Sequence, residues 1–142
     1  MTDEERATIL KEGYFYHVTL RENVGSIVAN GLDPLRSEPS TYWGWLKGPA
    51  VFLCTNRALY SVKAMFDNGL PKQRPRALLR VPASAIARHE CDADHSATFA
   101  HGLTLLECLE QVGFIVCYGP IPPESVEVVE HQDEHGRWQA GE

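Results

Sequence analysis

The order of apolar and polar positions predicts a helix and then a strand at the start of the chain. Residues 3–12 form a short polar segment whose apolar contacts are Ile9 and Leu10. We predict a helix there, and Gly13 ends it because glycine commonly terminates helices. Residues 14–19 are aromatic and β-branched, which favours a strand.

A second helix is predicted directly after this strand. Thr19 and Glu22 have the spacing of a capping box, in which each side chain accepts a hydrogen bond from the other residue's backbone amide. Apolar residues then recur at helical spacing. Gly31 followed by Pro34 marks the end of this helix.

The rest of the chain is predicted to be mainly strands. Four further apolar runs favour strands, at residues 50–54, 77–81, 114–118 and 126–129. Asn56 caps a predicted helix that reaches about Asn68. Residues 103–111 fit either a helix or a strand, and we expect the tail from His131 to be loose. Early helices and clustered late strands are typical of an α+β domain.

Length and composition favour one ordinary globular domain. The 142 residues are 44% hydrophobic and 23% charged, close to the average for soluble proteins. No apolar run approaches the roughly 18 residues of a membrane span, and the acidic start lacks the features of a secretory signal. We therefore expect a single cytoplasmic domain over residues 1–142, with its core at about 14–130 and no membrane partner.

Charge and motif content exclude several nucleotide-binding classes. The formal net charge of −6 argues against a general nucleic-acid-binding surface. Residues 72–76 form a local basic stretch, which is interpreted either as a solvated loop or as a segment that binds phosphates. No G-x-G-x-x-G or Walker motif follows a predicted strand, so a Rossmann or P-loop site is not expected.

The cysteines and histidines do not predict a metal centre. Four cysteines are present without a C-x-x-C pair, and we interpret those in apolar stretches as small buried thiols. Residues 89–101 are rich in zinc-ligand types, but the spacing H-x-C-x₃-H-x₅-H matches no common zinc module. A polar loop is the simpler interpretation, and we predict no metal site.

Four short blocks carry a more specific signal. The first runs from Tyr16-His17-Val18-Thr19 to Gly31-Leu32-Asp33-Pro34, and the others are residues 48–55, 77–82 and 114–124. In this order the blocks resemble the ADP-ribosyltransferase superfamily, whose members read His-x-Thr or His-x-Ser at a strand end before a helix finishing in Gly-Leu. The resemblance implies an α+β fold with a split antiparallel β-sheet flanked by helices.

The resemblance also implies a substrate and a set of roles. NAD would be the substrate, and loss of nicotinamide would pass through an oxocarbenium-like state. His17 would contact a ribose hydroxyl beside the nicotinamide, the backbone of Val18 would pair with its amide, and Thr19 would support the histidine. Rigid positioning and charge stabilisation are what such a reaction requires.

Other positions are assigned by the same resemblance. Phe52 stands where many members have tyrosine, which keeps a stacking face and loses a hydroxyl. Tyr60 would add a second ring contact, and Tyr42, with Trp43 and Trp45, would form a lid over the dinucleotide. Arg36 would meet the pyrophosphate or an acceptor phosphate. Each aromatic also has a plain interpretation as loop or core packing.

The chain departs from the family at the catalytic carboxylate. Many transferases of the superfamily carry Glu at the start of the strand that corresponds to residues 114–118, where this chain has Gly113 or Phe114. Glu110 is the candidate acid only if a local bulge brings it into place. The alternative function is that of a module that binds NAD, ADP-ribose or a protein partner without catalysing a reaction.

The resemblance does not specify which group would accept the ADP-ribose. The chain resembles the catalytic lobe of tRNA 2′-phosphotransferases, which use arginines rather than Glu, and matches the rifamycin ADP-ribosyltransferases less well. It is acidic, whereas the RNA enzymes add a basic lobe. A protein, a nucleic-acid phosphate or a small molecule all remain possible acceptors.

Overall fold

A computed structural model describes residues 1–36, 46–67, 74–97 and 100–140, and five helices and seven strands lie in these ranges. The helices are α1 (Asp3–Lys11), α2 (Val24–Asn30), α3 (Asn56–Asp67), α4 (Ala83–Ala87) and α5 (Leu105–Gln111). The strands are β1 (Tyr14–Leu20), β2 (Val51–Cys54), β3 (Arg76–Pro82), β4 (Cys91–Ala93), β5 (Phe114–Cys117), β6 (Glu127–Gln132) and β7 (Trp138–Ala140).

All seven strands belong to one antiparallel sheet in the order β4-β5-β2-β1-β3-β6-β7. β1 pairs with β3 along its whole length, and β2 pairs with β5 at all four of its residues. Between β1 and β2, by contrast, the ladder consists of the single pair Tyr16–Cys54. The α+β class with an antiparallel sheet is confirmed, and two well-paired groups of strands meet at one residue pair.

One face of the sheet carries the main core. Alternate residues point to the same face of a strand, so Phe15 of β1 lies on the same side as Leu79 and Val81 of β3. These three side chains are fully buried. Helices α1, α4 and α5 cover this face with buried apolar residues, among them Ile9, Ile86, Leu105 and Leu109.

Two helices begin with capping boxes. Thr2 Oγ1 accepts from Glu5 N at 3.1 Å, and Thr2 N donates to Glu5 Oε1 at 2.8 Å. Thr104 and Glu107 repeat the arrangement at the start of α5, at 3.2 and 3.0 Å. The cap satisfies amides that a helix start otherwise leaves unbonded, and α5 decides the ambiguous segment 103–111 in favour of a helix.

Several expectations are corrected. The capping box at Thr19 is wrong, because Thr19 pairs with Ala77 inside β1 and a 3₁₀ turn at Arg21–Asn23 precedes α2 without a side-chain cap. The tail is ordered: β6 reaches Gln132 and turns into β7 through Asp133, whose carboxylate accepts from two backbone amides of the turn. None of the helices in the described part of the chain is long and apolar enough to cross a membrane.

Candidate functional site

A cavity of about 620 Å³ lies beside the stretch where β1 and β2 do not pair. Three consecutive residues of β1, Val18, Thr19 and Leu20, line it. Successive side chains of a strand point to opposite faces, so this lining means that the edge of β1 faces the cavity. An open strand edge presents backbone N–H and C=O groups that no ladder uses.

His17 lies where β1 leaves β2. Its Nδ1 atom is 2.7 Å from the backbone oxygen of Phe52, and both residues line the cavity. The imidazole therefore bridges the two strands directly beyond their last ladder pair, Tyr16–Cys54. A side-chain hydrogen bond replaces a backbone one at the point where the sheet opens.

The bond to Phe52 also determines the protonation of His17. A carbonyl oxygen only accepts, so Nδ1 carries the proton and donates, and in the neutral ring Nε2 is an acceptor. Burial lowers the pKa of His17 below its ordinary value, and the hydrogen bond to Phe52 opposes that shift in part. His17 is thus a neutral hydrogen-bond acceptor at neutral pH.

The far wall of the cavity is built by the end of α2. Gly31 has φ +80°, and a side chain there would meet the backbone oxygen of Ile121 at 2.1 Å. Leu32 N donates to Ile121 O at 2.9 Å, and Ile121 N donates to Leu32 O at 2.7 Å. The Gly-Leu end of the first sequence block is thereby fastened to the Ile-Pro-Pro turn of the fourth.

Charged groups of both signs surround the cavity. Arg74, Arg76, Glu22 and Asp33 all line it. Arg74 and Glu22 form an ion pair with both side chains more than half exposed. Burial and the charge of Arg74 lower the pKa of Arg76. Two neighbouring guanidinium groups attract an anion, and their planar donors suit a phosphate.

Four of the predicted site residues meet at this cavity: His17, Val18, Thr19 and Phe52. Thr19 is 8% exposed, and its place on β1 is fixed by pairing with Ala77. Phe52 is partly exposed and contributes its carbonyl to His17. The first two sequence blocks are therefore adjacent in space.

Two predicted residues lie elsewhere. Glu110 is exposed near the end of α5 and lines a second depression with Arg57, whose guanidinium donates to the Glu110 carbonyl at 2.9 Å. Tyr60 is 85% exposed on α3 and is not among the residues lining the His17 cavity. The structure thus does not bring Glu110 or Tyr60 together with His17. Tyr42 and the side chain of Arg36 lie outside the described residues, as do Trp43 and Trp45.

Several cavity residues were missed by the sequence interpretation. Glu22 was assigned to a helix cap, and Asp33 was noted only as part of the Gly-Leu block. Arg74 and Arg76 had a signal, since the basic stretch 72–76 suggested a phosphate contact. The signal that could have pointed to Glu22 is its place two residues after β1, the strand that carries His17.

Within residues 1–36, 46–67, 74–97 and 100–140, no three or more His, Cys, Asp or Glu side chains lie together in a way that could hold a metal ion. In the His-rich segment, His95 contacts Asp92 at 3.4 Å, and His101 Nδ1 bonds the His95 carbonyl at 3.0 Å.

Comparison with protein-family models found no match, and comparison with curated proteins found none either.

Proposed function

We propose that this protein binds NAD in the His17 cavity and transfers ADP-ribose with release of nicotinamide. The observation that carries the proposal is the neutral His17, held by Phe52 O at 2.7 Å in the gap of an opened sheet. Neutral imidazole offers one acceptor to a ribose hydroxyl, which donates. The same position is the one that the resemblance to ADP-ribosyltransferases assigns to ribose binding.

The chemistry of the cavity suits a dinucleotide. Its volume of about 620 Å³ falls within the usual range for ligand pockets. The open edge of β1 at Val18 supplies backbone groups for a carboxamide, and the Phe52 ring supplies an apolar face. Arg74 and Arg76 supply donors for a pyrophosphate. This division gives the nicotinamide, its ribose and the pyrophosphate of NAD groups of matching chemistry.

Bound NAD supplies the ADP-ribosyl group, and its bond to nicotinamide breaks as positive charge develops on the ribose. A nearby carboxylate stabilises such charge. Glu22 and Asp33 are the carboxylates that line the cavity within the described ranges. Asp33 is partly buried and accepts from Leu35 N at 3.0 Å, whereas Glu22 is exposed. Since solvent weakens electrostatic effects, Asp33 is our candidate in place of Glu110.

The second candidate function is binding without turnover. The position of Glu110, in a depression away from His17, is the observation that favours it. In that case the cavity would hold NAD or ADP-ribose, and no nicotinamide would be released. The two functions share the cavity and differ in the fate of one bond.

The test is to measure NAD binding by calorimetry and nicotinamide release by chromatography, with and without cell extract. His17→Ala is compared with His135→Ala, because the His135 side chain is 72% exposed and remote in sequence from the cavity residues. We expect release from wild type and His135→Ala, and a loss of about 100-fold or more in His17→Ala, as for removal of a key positioning or electrostatic group. Asp33→Asn should reduce release more than binding.

The outcomes separate the alternatives. Binding without release supports the binding module, and neither binding nor release in folded protein contradicts both functions. If release depends on extract, treating the extract with protease, with nuclease or by filtration distinguishes a protein, a nucleic-acid phosphate and a small molecule as acceptor.

A further inference from the structure

Two buried cysteines face each other at the far side of the sheet from β7. Cys91 lies in β4 and Cys117 lies in β5, and they are direct partners in the ladder between these strands. They are 6% and 0% exposed, and neither forms a disulfide in this structure. The cavity function uses neither thiol.

The hydrogen bonds around the two cysteines define the kind of pair they form. Tyr118 N donates to Glu90 O at 2.9 Å, and Asp94 N donates to Phe114 O at 3.0 Å. In an antiparallel ladder, hydrogen-bonded and non-hydrogen-bonded pairs alternate. Along the ladder, Cys91–Cys117 is the first pair after Glu90–Tyr118 and the third pair before Asp94–Phe114. Both of these are hydrogen-bonded pairs, and both separations are odd. Cys91–Cys117 is therefore a non-hydrogen-bonded pair.

Non-hydrogen-bonded pairs bring side chains closest together. Their Cα atoms are roughly 4.5 Å apart, and disulfides span Cα distances of roughly 4.4–6.8 Å. The two thiols are also close enough to shift each other's pKa. We propose that Cys91 and Cys117 form a reversible cross-strand disulfide, a modification that converts the edge strand β4 into a covalently fixed one.

The reaction follows thiol–disulfide exchange with a low-molecular-weight disulfide. Interaction between the two thiols lowers the pKa of Cys117 and raises that of Cys91, so Cys117 is the first to ionise and attack. One thiol of the reagent leaves, and Cys117 is joined to its other half. Cys91 then loses its proton, attacks the Cys117 sulfur and expels the second thiol. The protein loses two electrons and two protons, and the reagent gains them.

Access to the buried pair comes from the edge of the sheet. β4 has three residues, Cys91–Ala93, and pairs with β5 alone. Short edge strands open locally at a small fraction of the cost of global unfolding. A reagent therefore reaches the pair without unfolding the centre of the sheet.

The experiment equilibrates the protein in reduced and oxidised glutathione and traps free thiols by alkylation before intact-mass and peptide analysis. We expect the oxidised protein to carry two fewer alkyl groups than the reduced protein and, without alkylation, to be lighter by about 2 Da, two hydrogen atoms. We also expect a cross-linked peptide containing Cys91 and Cys117. A reducing agent should reverse both. The disulfide closes the loop between the two cysteines, so the urea midpoint of unfolding should rise in the oxidised protein.

Matched variants and a second route keep the test decisive. C54A/C108A removes the other two cysteines and should keep the cross-link, whereas C91S and C117S should each abolish it. Refolding from urea in the same glutathione buffer exposes every thiol, so a failure there is not one of access. Alkylation of both Cys91 and Cys117, glutathione adducts alone, or a cross-link to Cys54 or Cys108 after refolding would overturn the proposal. These readouts are independent of NAD.

Discussion

The two edges of β1 are built from the same seven residues but serve different purposes. On one edge all seven residues pair with β3, and on the other Tyr16, with Cys54 of β2, forms the one ladder pair found among the described residues. Complete pairing places Phe15 and Leu79 in a closed core. Incomplete pairing leaves Val18 at a cavity and His17 bonded to a carbonyl of β2. A strand can thus be anchored by one neighbour and present its other edge to a cavity.

The largest effect should come from breaking the paired edge. Leu79 lies opposite His17 in the ladder and is fully buried, so Leu79→Ala leaves a cavity in the core. We expect a loss of about 2–5 kcal/mol in the free energy of unfolding. Urea denaturation followed by circular dichroism measures it.

Val18→Ala is the matched change on the open edge. Val18 is partly exposed at the cavity, so the deletion should cost roughly 1 kcal/mol or less. Equal losses for the two variants would mean that the open edge is packed as tightly as the paired one, and the contrast between the edges would be wrong.

An intermediate effect should appear when pH is lowered. Burial lowers the pKa of His17 in the folded state, so the unfolded chain takes up the proton first. The stability that depends on neutral His17 is complete above its unfolded pKa and is lost as pH falls through the folded pKa. One such group changes the free energy of unfolding by at most about 1.4 kcal/mol per pH unit.

His17→Gln isolates this contribution, because the amide keeps an N–H donor for Phe52 and does not titrate near pH 6. Urea midpoints between pH 8 and pH 5 should fall less steeply in His17→Gln than in wild type. His135→Gln, at an exposed histidine, should retain the wild-type slope. Identical slopes in all three proteins would contradict a buried, neutral His17.

Local patterns predicted much of the fold and half of the site. The order of strand, His17 and helix could be predicted because strands and helices differ in the spacing of their apolar residues and in the residue types that end them. The strand that carries Phe52 was also predicted, from a short apolar run, whereas the role of Phe52 at the site was an expectation from the family resemblance. The two strands lie next to each other in the sheet, and this places Phe52 beside His17.

The rest depended on tertiary pairing. Three Thr-x-x-Glu signatures occur in the chain, at Thr2, Thr19 and Thr104. Two form capping boxes, and the one at Thr19 does not, because Thr19 pairs with Ala77 of β3. A local signature does not reveal that a neighbouring strand competes for the same residue. Glu22 therefore does not cap the helix, and its side chain forms an ion pair with Arg74.

Glu110 was misjudged for a related reason. It precedes β5 in sequence by only a few residues, and strand β5 lies next to β2. However, α5 ends at Gln111, and Glu110 lines a depression with Arg57 and not the cavity that His17 lines. The direction of a side chain at a helix end depends on the helix packing, which spacing along the sequence does not encode.

The smallest effect on stability should follow from breaking the ion pair at the cavity. Glu22 and Arg74 are 56% and 66% exposed, and exposed pairs contribute about 0–1 kcal/mol. Glu22→Gln should therefore leave the urea midpoint nearly unchanged. It also removes a negative charge that competes for Arg74, so, if the cavity binds NAD as proposed, we expect affinity to rise about 2- to 5-fold, an increment of roughly 0.4–1 kcal/mol.

Arg74→Gln should weaken NAD binding, and Arg137→Gln, at an exposed position directly before β7, should leave it unchanged. Calorimetry at low and high salt makes the comparison sharper, because screening should shrink the gain from Glu22→Gln. A salt-independent gain would mean that Glu22 acts by occupying space in the cavity rather than by its charge. No gain at all, with binding intact in wild type, would place the anion of the ligand away from Arg74.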